Sequence, residues 1–215
     1  VEIMDRPEVF SSRIGIIGGG ASGAVLAACL LQRVGKETEI VLVEKSKRIG
    51  RGLAYSTWDP SHLLNVREGN MSAYADQPDH FYECLQVHGP RQGIGCPTRL
   101  CFVPRGVYGE YKGGLLRDVP NSQQLRIVRD ECVDVTSSAN GMALKLASGD
   151  QLNVDYCVLA TGNELRPPLL TARGENPWEA GVIDQNETPR HSAYDQNRPY
   201  DGGRSALSFV RAIAG

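Results

Sequence analysis

Gly18-x-Gly20-x-x-Gly23 is the arrangement in this chain with the clearest chemical use. The glycines follow the apolar run Arg13-Ile-Gly-Ile-Ile17 and precede the helix-forming stretch Ala24 to Val34. A strand that turns through glycines into a helix makes a phosphate cradle. Gly18 permits the tight turn, Gly20 lets the backbone approach a pyrophosphate, and Gly23 lets the helix pack close to the sheet. The first N–H groups of the helix and its positive dipole end then face the anion. Glu44 ends a second apolar run, Glu39-Ile-Val-Leu-Val-Glu44, 21 residues past Gly23. A carboxylate there accepts hydrogen bonds from both ribose hydroxyls and repels a 2′-phosphate, so the spacing points to FAD or NAD rather than NADP.

Other chemistry-bearing residues point elsewhere or nowhere. His62 and His80 are candidate acid–base groups by residue type, but neither has a partner visible in the sequence, and His80 reads as a helix cap. Cys84-x3-His88 with Cys96 and Cys101 lacks the short Cys-x2–4-Cys knuckle of a zinc site, so no metal is expected. Cys96-x4-Cys101 has the spacing of a redox disulfide but lies over fifty residues past Glu44 with a proline inside it. No Ser-His-Asp signature, Walker loop or metallo-motif is present, and no catalytic residue is assigned.

The elements that must position the glycine turn form a βαβ unit of about thirty residues: strand 13–17, helix 24–34 stopped by Gly35, strand 39–44. Beyond it, Asp79 to Val87 and Tyr108 to Arg117 read as helices. Leu125 to Val135, Met142 to Leu146 and Asp155 to Leu159 read as strands, with turns at Asn140-Gly141 and Ser148-Gly149-Asp150. After Gly162 the chain turns rich in Pro, Asn and Gly, and Ser205 to Ala214 reads as one short amphipathic helix. The expected divisions are a lead-in over 1–12, a nucleotide-binding domain over 13–162 and a tail over 163–215.

Length and composition bound the function. At ~100–200 residues per domain, 215 residues allow one large domain or two small ones. Hydrophobic residues are 41% and charged residues 22%, an ordinary globular balance. A net charge of −2, from 23 basic and 25 acidic residues, excludes a polycationic nucleic-acid or membrane binder. No apolar run approaches the ~20 residues of a membrane span, and no signal sequence opens the chain. Six scattered cysteines read as reduced thiols, with Cys29 and Cys157 as small core residues, and the expected compartment is the cytoplasm. The start at Val1 reads as a trimmed or partial chain.

Two further segments separate FAD from NAD. Directly after Glu44 comes a glycine-rich loop, Lys45-Ser-Lys-Arg-Ile-Gly-Arg-Gly-Leu-Ala-Tyr55, where an NAD dehydrogenase would enter its next βα unit. The strand 155–159 runs into Ala160-Thr-Gly162, which resembles the second flavin-contact motif of two-dinucleotide flavoproteins. Together with Gly50-Arg-Gly-Leu-Ala-Tyr-Ser56, His62-Leu-Leu-Asn-Val66, Met71-Ser72 and Phe102-Val-Pro-Arg-Gly-Val-Tyr-Gly-Glu-Tyr111, these residues resemble a FAD/NAD(P)-binding domain family. That family includes FAD-dependent urate hydroxylases and amino-acid N-hydroxylating flavin monooxygenases. The resemblance runs from about Arg13 to about Trp178.

The resemblance implies an α/β fold: a Rossmann-like FAD-binding domain with a parallel central sheet, a β-meander and a helical insertion. It also implies bound FAD, reduction by NAD(P)H and oxygenation of a small-molecule substrate. Gly18, Gly20, Ala21, Ser22 and Gly23 would hold the pyrophosphate, and Glu44 with Lys45 the adenosine ribose side. Gly52 and Leu53, with Asn65, Val66 and Met71, would line the flavin side. Val133 would meet adenine through its backbone, and Thr161 and Gly162 would close over the cofactor. Arg105 and Tyr108 fit either an anion-contacting pair or a helix-capping Arg beside a packed Tyr.

One departure limits the expectation. Such flavoproteins carry a second nucleotide fold for the nicotinamide cofactor, and no second strand–GxGxxG–helix appears in the sequence. Arg198-Pro-Tyr-Asp-Gly-Gly-Arg-Ser205 has glycines before a helix but no apolar strand ahead of them. NAD(P)H as electron donor is therefore unsupported within the chain. The expected function is the FAD half of an NAD(P)H-dependent flavin monooxygenase. The alternative is a non-catalytic or truncated FAD-binding module whose reduction needs a partner, and an NAD-only dehydrogenase is a third reading.

Overall fold

The computed structural model describes residues 10–89, 98–117, 119–139 and 141–162, and the backbone of a strand at 208–210. β1 (Ser12–Ile17) leads through the glycine turn into α1 (Ala21–Leu31), which returns to β2 (Thr38–Val43). An insertion carries α2 (His80–His88) and α3 (Arg105–Gly114). β3 (Leu125–Val128) follows, then a meander of β4 (Cys132–Ser138), β5 (Gly141–Leu146) and β6 (Gln151–Val154). β7 (Tyr156–Leu159) returns to the first sheet, and β8 (Ser208–Val210) extends it.

The main sheet has the order β3-β2-β1-β7-β8, the first four strands parallel and β8 antiparallel to β7. Alternation along buried strands divides its core in two. Ile16, Ile40 and Leu42 pack with Ala24, Ala27, Ala28 and Leu31 of α1 and with Leu115 and Leu116. Ile17, Val41 and Val43 pack on the opposite face with Met142, Leu144, Leu146 and Val154 of the meander. Burial on both faces explains why these strands read as continuous apolar runs. The insertion has its own cluster of Leu64, Phe81, Leu85, Val103 and Tyr108. This is the α/β architecture expected, with its parallel sheet, meander and helical insertion.

Three elements differ from the sequence expectation. The run 125–135 is two strands, β3 in the parallel sheet and β4 in the meander. The break falls at Arg129-Asp130-Glu131, where Asp130 accepts from the N–H groups of Glu131 at 2.7 Å and Ser148 at 3.3 Å. Local side-chain bonds of this kind compete with a strand ladder. No strand is expected over 151–154, where β6 lies, and the strand expected from Asp155 begins at Tyr156, with the Asp155 carboxylate accepting from Arg13 N at 2.6 Å. Ser208–Val210 is a strand rather than part of the helix expected over 205–214. The open edge of β7 offers it a ladder, with Cys157 opposite Val210, and Ser-Phe-Val suits a pleated edge. The remaining expectations for 1–9 and for the tail lie outside the described residues.

No helix among the described residues is long and apolar enough to cross a membrane. Leu42 is fully buried at the helix-facing core, so Leu42→Ala is expected to lower unfolding free energy by about 2–5 kcal/mol. Val87→Ala, at a 62% exposed helix position, should cost less than about 0.5 kcal/mol. Urea unfolding of the two variants checks the contrast, and equal losses would place the core elsewhere.

Candidate functional site

The glycine turn sits where β1 ends and α1 begins. Gly18 holds φ at +100°, and its N–H bonds the Val43 carbonyl at 2.8 Å. A side chain on Gly23 would run into the Gly18 carbonyl oxygen, and one on Gly18 into the Ala160 carbonyl. Helix, turn and the end of β7 therefore meet backbone to backbone. No side chain caps α1, and its first turn carries no acid. Its N–H groups at Ala21, Ser22 and Gly23 keep the electropositive end that favours phosphate.

Glu44 is bound to this turn. One carboxylate oxygen accepts from Gly19 N at 2.6 Å and the other from Ser46 N at 2.7 Å. A carboxylate offers about four lone-pair positions, so two remain, one on each oxygen, for a pair of hydroxyls. Lys45, beside it, is exposed and pairs with Glu131 at 2.7 Å. The Glu131 hydrogen bond and its charge raise the Lys45 pKa.

The second glycine loop folds back onto the first. Gly50 N–H bonds Gly19 O at 2.8 Å, and Gly50 and Gly52 take positive φ, +84° and +56°. A Cβ on Gly20 would lie 3.4 Å from the Gly52 Cα, an ordinary contact. Thr161 and the positive-φ Gly162 follow Ala160, whose N–H bonds Ile17 O at 2.8 Å. The structure thus brings Gly18, Gly20, Gly23, Glu44, Gly52, Thr161 and Gly162 into one neighbourhood.

The other candidates lie further out. Leu53 is 71% exposed, and Asn65 and Val66 are exposed on a segment pinned by Leu64 N–H to Val103 O at 2.9 Å. Met71 packs on the Phe81 cluster of the insertion. Val133 is exposed at the irregularity between Cys132 and Asp134 of β4, in the other sheet.

Arg105 and Tyr108 take structural positions. Arg105 Nε donates to Leu63 O at 3.1 Å. Tyr108 is buried edge-on against Tyr55 and Phe81, with burial pushing its pKa up to about 12. His62 Nδ1 pairs with Thr57 Oγ1 at 2.7 Å. His80 is the first residue of α2 rather than its cap, and its Nδ1 pairs with the Tyr111 hydroxyl at 2.7 Å. Among the described residues no three His, Cys, Asp or Glu side chains gather as a metal site. Cys96 lies outside the described residues.

Two buried cations beneath the loop escape sequence reasoning. Lys112 is buried with its Nζ 3.3 Å from the Tyr55 ring centre and 4.4 Å from that of Tyr108. Burial pulls its pKa down to about 7. Arg51 is buried against Glu110. The available signal was Tyr108-x-x-x-Lys112, one helical turn that puts a lysine beside a tyrosine.

Comparison with known proteins fits this geometry. A family model described as FAD-NAD(P)-binding matches residues 15–164. The 3-dehydro-bile acid delta(4,6)-reductase of Clostridium scindens is 25% identical over 74% of this chain and 41% of its own length. The chain thus spans about two fifths of that curated relative. The NADP+-bound cyclohexanone monooxygenase from Rhodococcus sp. Phi1 superposes with a TM-score of 0.53 at 16% identity, over 74% of this chain and 28% of that one. Tmm from Pelagibacter gives a TM-score of 0.50 at 18% identity, over 75% and 39%. These two structural likenesses speak for the fold.

Lys112 makes stability depend on pH with a definite sign. Above pH 7 the folded lysine sheds its proton while the unfolded one, with its ordinary pKa of 10.5, keeps it. The unfolded state then binds more protons, so stability rises with pH. Above pH 9 the raised thiol pKa values of Cys132 and Cys157 act oppositely. Between pH 7 and 9 the unfolding free energy is expected to climb by about 1–2 kcal/mol. Lys112→Met should flatten that slope. A slope unchanged in the variant, measured by urea titration at both pH values, would exclude Lys112 as its source.

Proposed function

This chain belongs to the FAD-NAD(P)-binding family, and from that premise we propose that it is the FAD-binding part of an NAD(P)H-dependent flavin monooxygenase acting on a small molecule. The observation that carries the reading is the interlocked pair of glycine loops, Gly50 N–H on Gly19 O with Gly52 facing Gly20, beside a doubly anchored Glu44. An NAD-only dehydrogenase has no use for a second glycine loop folded onto the first.

The residues present fit FAD. The uncapped α1 terminus and the amides of Gly20, Ala21, Ser22 and Gly23 offer donors to a pyrophosphate. Glu44 keeps one free lone pair on each oxygen for the ribose diol, with Lys45 at its side. Gly52, Thr161 and Gly162 leave backbone bare for close approach. Leu53 and Val66 are exposed apolar side chains of the kind a planar cofactor covers, and Val133 would offer its backbone to adenine. Bound FAD supplies the redox chemistry, while these residues orient it and exclude water. The curated relative is a reductase, which favours a second reading in which the same domain serves a reduction without oxygen.

The visible absorption spectrum of the purified chain, with FAD added and then desalted, tests the proposal. Oxidised-flavin bands are expected to remain with the protein. Gly20→Val should fold, since its Cβ would make only an ordinary contact with the Gly52 Cα, yet lose the flavin because its side chain fills the approach to the phosphates. Glu44→Ala removes hydrogen bonds worth about 1.5–3 kcal/mol and should weaken FAD binding roughly ten- to a hundredfold. A chain that takes up no flavin from excess FAD overturns the reading. NAD(P)H oxidation with matching oxygen consumption and no hydrogen peroxide released supports a monooxygenase, and anaerobic NAD(P)H oxidation coupled to substrate reduction supports the reductase.

A further inference from the structure

On the other side of the 47–51 loop, between that loop, α3 and the end of β3, lies a recess of about 440 Å³. Among the described residues, neither the glycine turn nor Glu44 lines it. Five cations do: Lys47, Arg48, Arg51, Arg117 and Arg129, against a single acid, Glu110.

Arg51 carries the argument. It is 5% exposed and pairs through one terminal nitrogen with Glu110, while its buried Nη1 has no acceptor among the described residues. A guanidinium cannot shed its charge to escape such a place. A buried charged donor left unmade costs more than the ~1–3 kcal/mol of a neutral one. Burial first, and then the charge of Arg48, push its pKa down. Lys47, Arg48, Arg117 and Arg129 form no ion pair among the described residues.

The positive charge is also held in place. Trp58, 69% exposed, stacks beneath Arg48 at 3.9 Å and Arg51 at 4.7 Å from its ring centre. Arg129 Nη1 donates to Ser46 O at 2.7 Å, tying its guanidinium to the loop. Cations fixed around a concavity, one of them buried and short of an acceptor, form a site prepared for an anion with several oxygens. Planar guanidinium forks suit phosphate, which accepts them in pairs.

We propose that this recess is a phosphate-binding site, which takes a dianionic phosphate group, free or terminal on a small molecule, and completes the coordination of Arg51. Two sources share this chemistry: free inorganic phosphate and a nucleotide carrying a terminal phosphate. The recess exceeds the size of a bare phosphate, and Trp58 offers a face beside it. The inference does not depend on FAD binding.

Calorimetric titration of the full chain at constant ionic strength, with and without saturating FAD, tests it. Inorganic phosphate is expected to bind saturably in both conditions and to change the emission of Trp58, a signal absent in Trp58→Phe. Arg48→Gln and Arg129→Gln should each weaken phosphate about tenfold while keeping the melting temperature near that of the parent. Glu110→Gln removes the competing acid and should tighten binding, a gain that a merely structural role would not produce. 2′-AMP or 5′-AMP binding tighter than phosphate, with adenosine inert, identifies a nucleotide. Equal affinities identify free phosphate. The proposal is overturned if neither phosphate nor either nucleotide binds more tightly than chloride. It also falls if the three substitutions leave phosphate affinity unchanged, or if FAD displaces phosphate.

Discussion

The structure depends on backbone meeting backbone around Gly18. Its carbonyl lies where a side chain on Gly23 would stand, and the Ala160 carbonyl lies where its own side chain would stand. Three elements, β1, α1 and the end of β7, converge there without a side chain between them. Positive φ at Gly18 is the conformational condition for that convergence. Everything on the C-terminal edge of the sheet is referred to this point. Glu44 reaches it through Gly19 N–H, and the second loop reaches it through Gly50 N–H to Gly19 O.

The second loop needs support from below, because a glycine loop has little rigidity of its own. Helix α3 supplies it with a nearly bare face. Side chains at Gly106, Gly109 and Gly113 would press on the carbonyl oxygens of Thr57, Tyr55 and Ile49 in turn. Three small residues along one helix face let the loop lie directly on the helix backbone. Close Cα–H···O approaches of this sort add little individually. Their effect is positional, since any side chain on that face would lift the loop from the turn. The insertion helices are thus part of the site's foundation, and their aromatic cluster of Phe81, Tyr108 and Tyr111 keeps α2 and α3 together.

The turn and Glu44 were legible because their chemistry is local. GxGxxG, the flanking apolar runs and the distance to the acid all lie within one βαβ unit. The Gly50–Gly52 loop was legible as a loop, and its place against Gly19 is a tertiary contact that only the family resemblance anticipated. The strand boundary at Asp130 was missed because its side chain ends the ladder by local hydrogen bonds, which apolar periodicity does not register; β6 was missed because Gln151-Leu-Asn-Val154 is too short and polar to stand out. The pairing of β8 with β7 joins residues about fifty apart in sequence, beyond the reach of a helical pattern over ten residues. Nothing in the sequence singles out Arg51 or Lys112 as buried, since burial of a charge depends on what folds over it.

Those two buried cations put a charge problem directly under the loop. The protein answers it differently in each case. Lys112 can release its proton, and burial brings that release to about pH 7 while the Tyr55 and Tyr108 rings face the ammonium. Arg51 cannot, so its charge must be met from outside its own side chain, and Glu110 meets only part of it. A hydrophobic pair in both positions would remove the desolvation cost. It would also remove the fixed positive charge that separates the two sides of the 47–51 loop. On one side stands Glu44, a carboxylate with one unused lone pair on each oxygen. On the other stand the guanidinium groups of Arg48, Arg51, Arg117 and Arg129. One short glycine-containing segment therefore divides an anionic hydrogen-bond acceptor from a recess rich in positive charge.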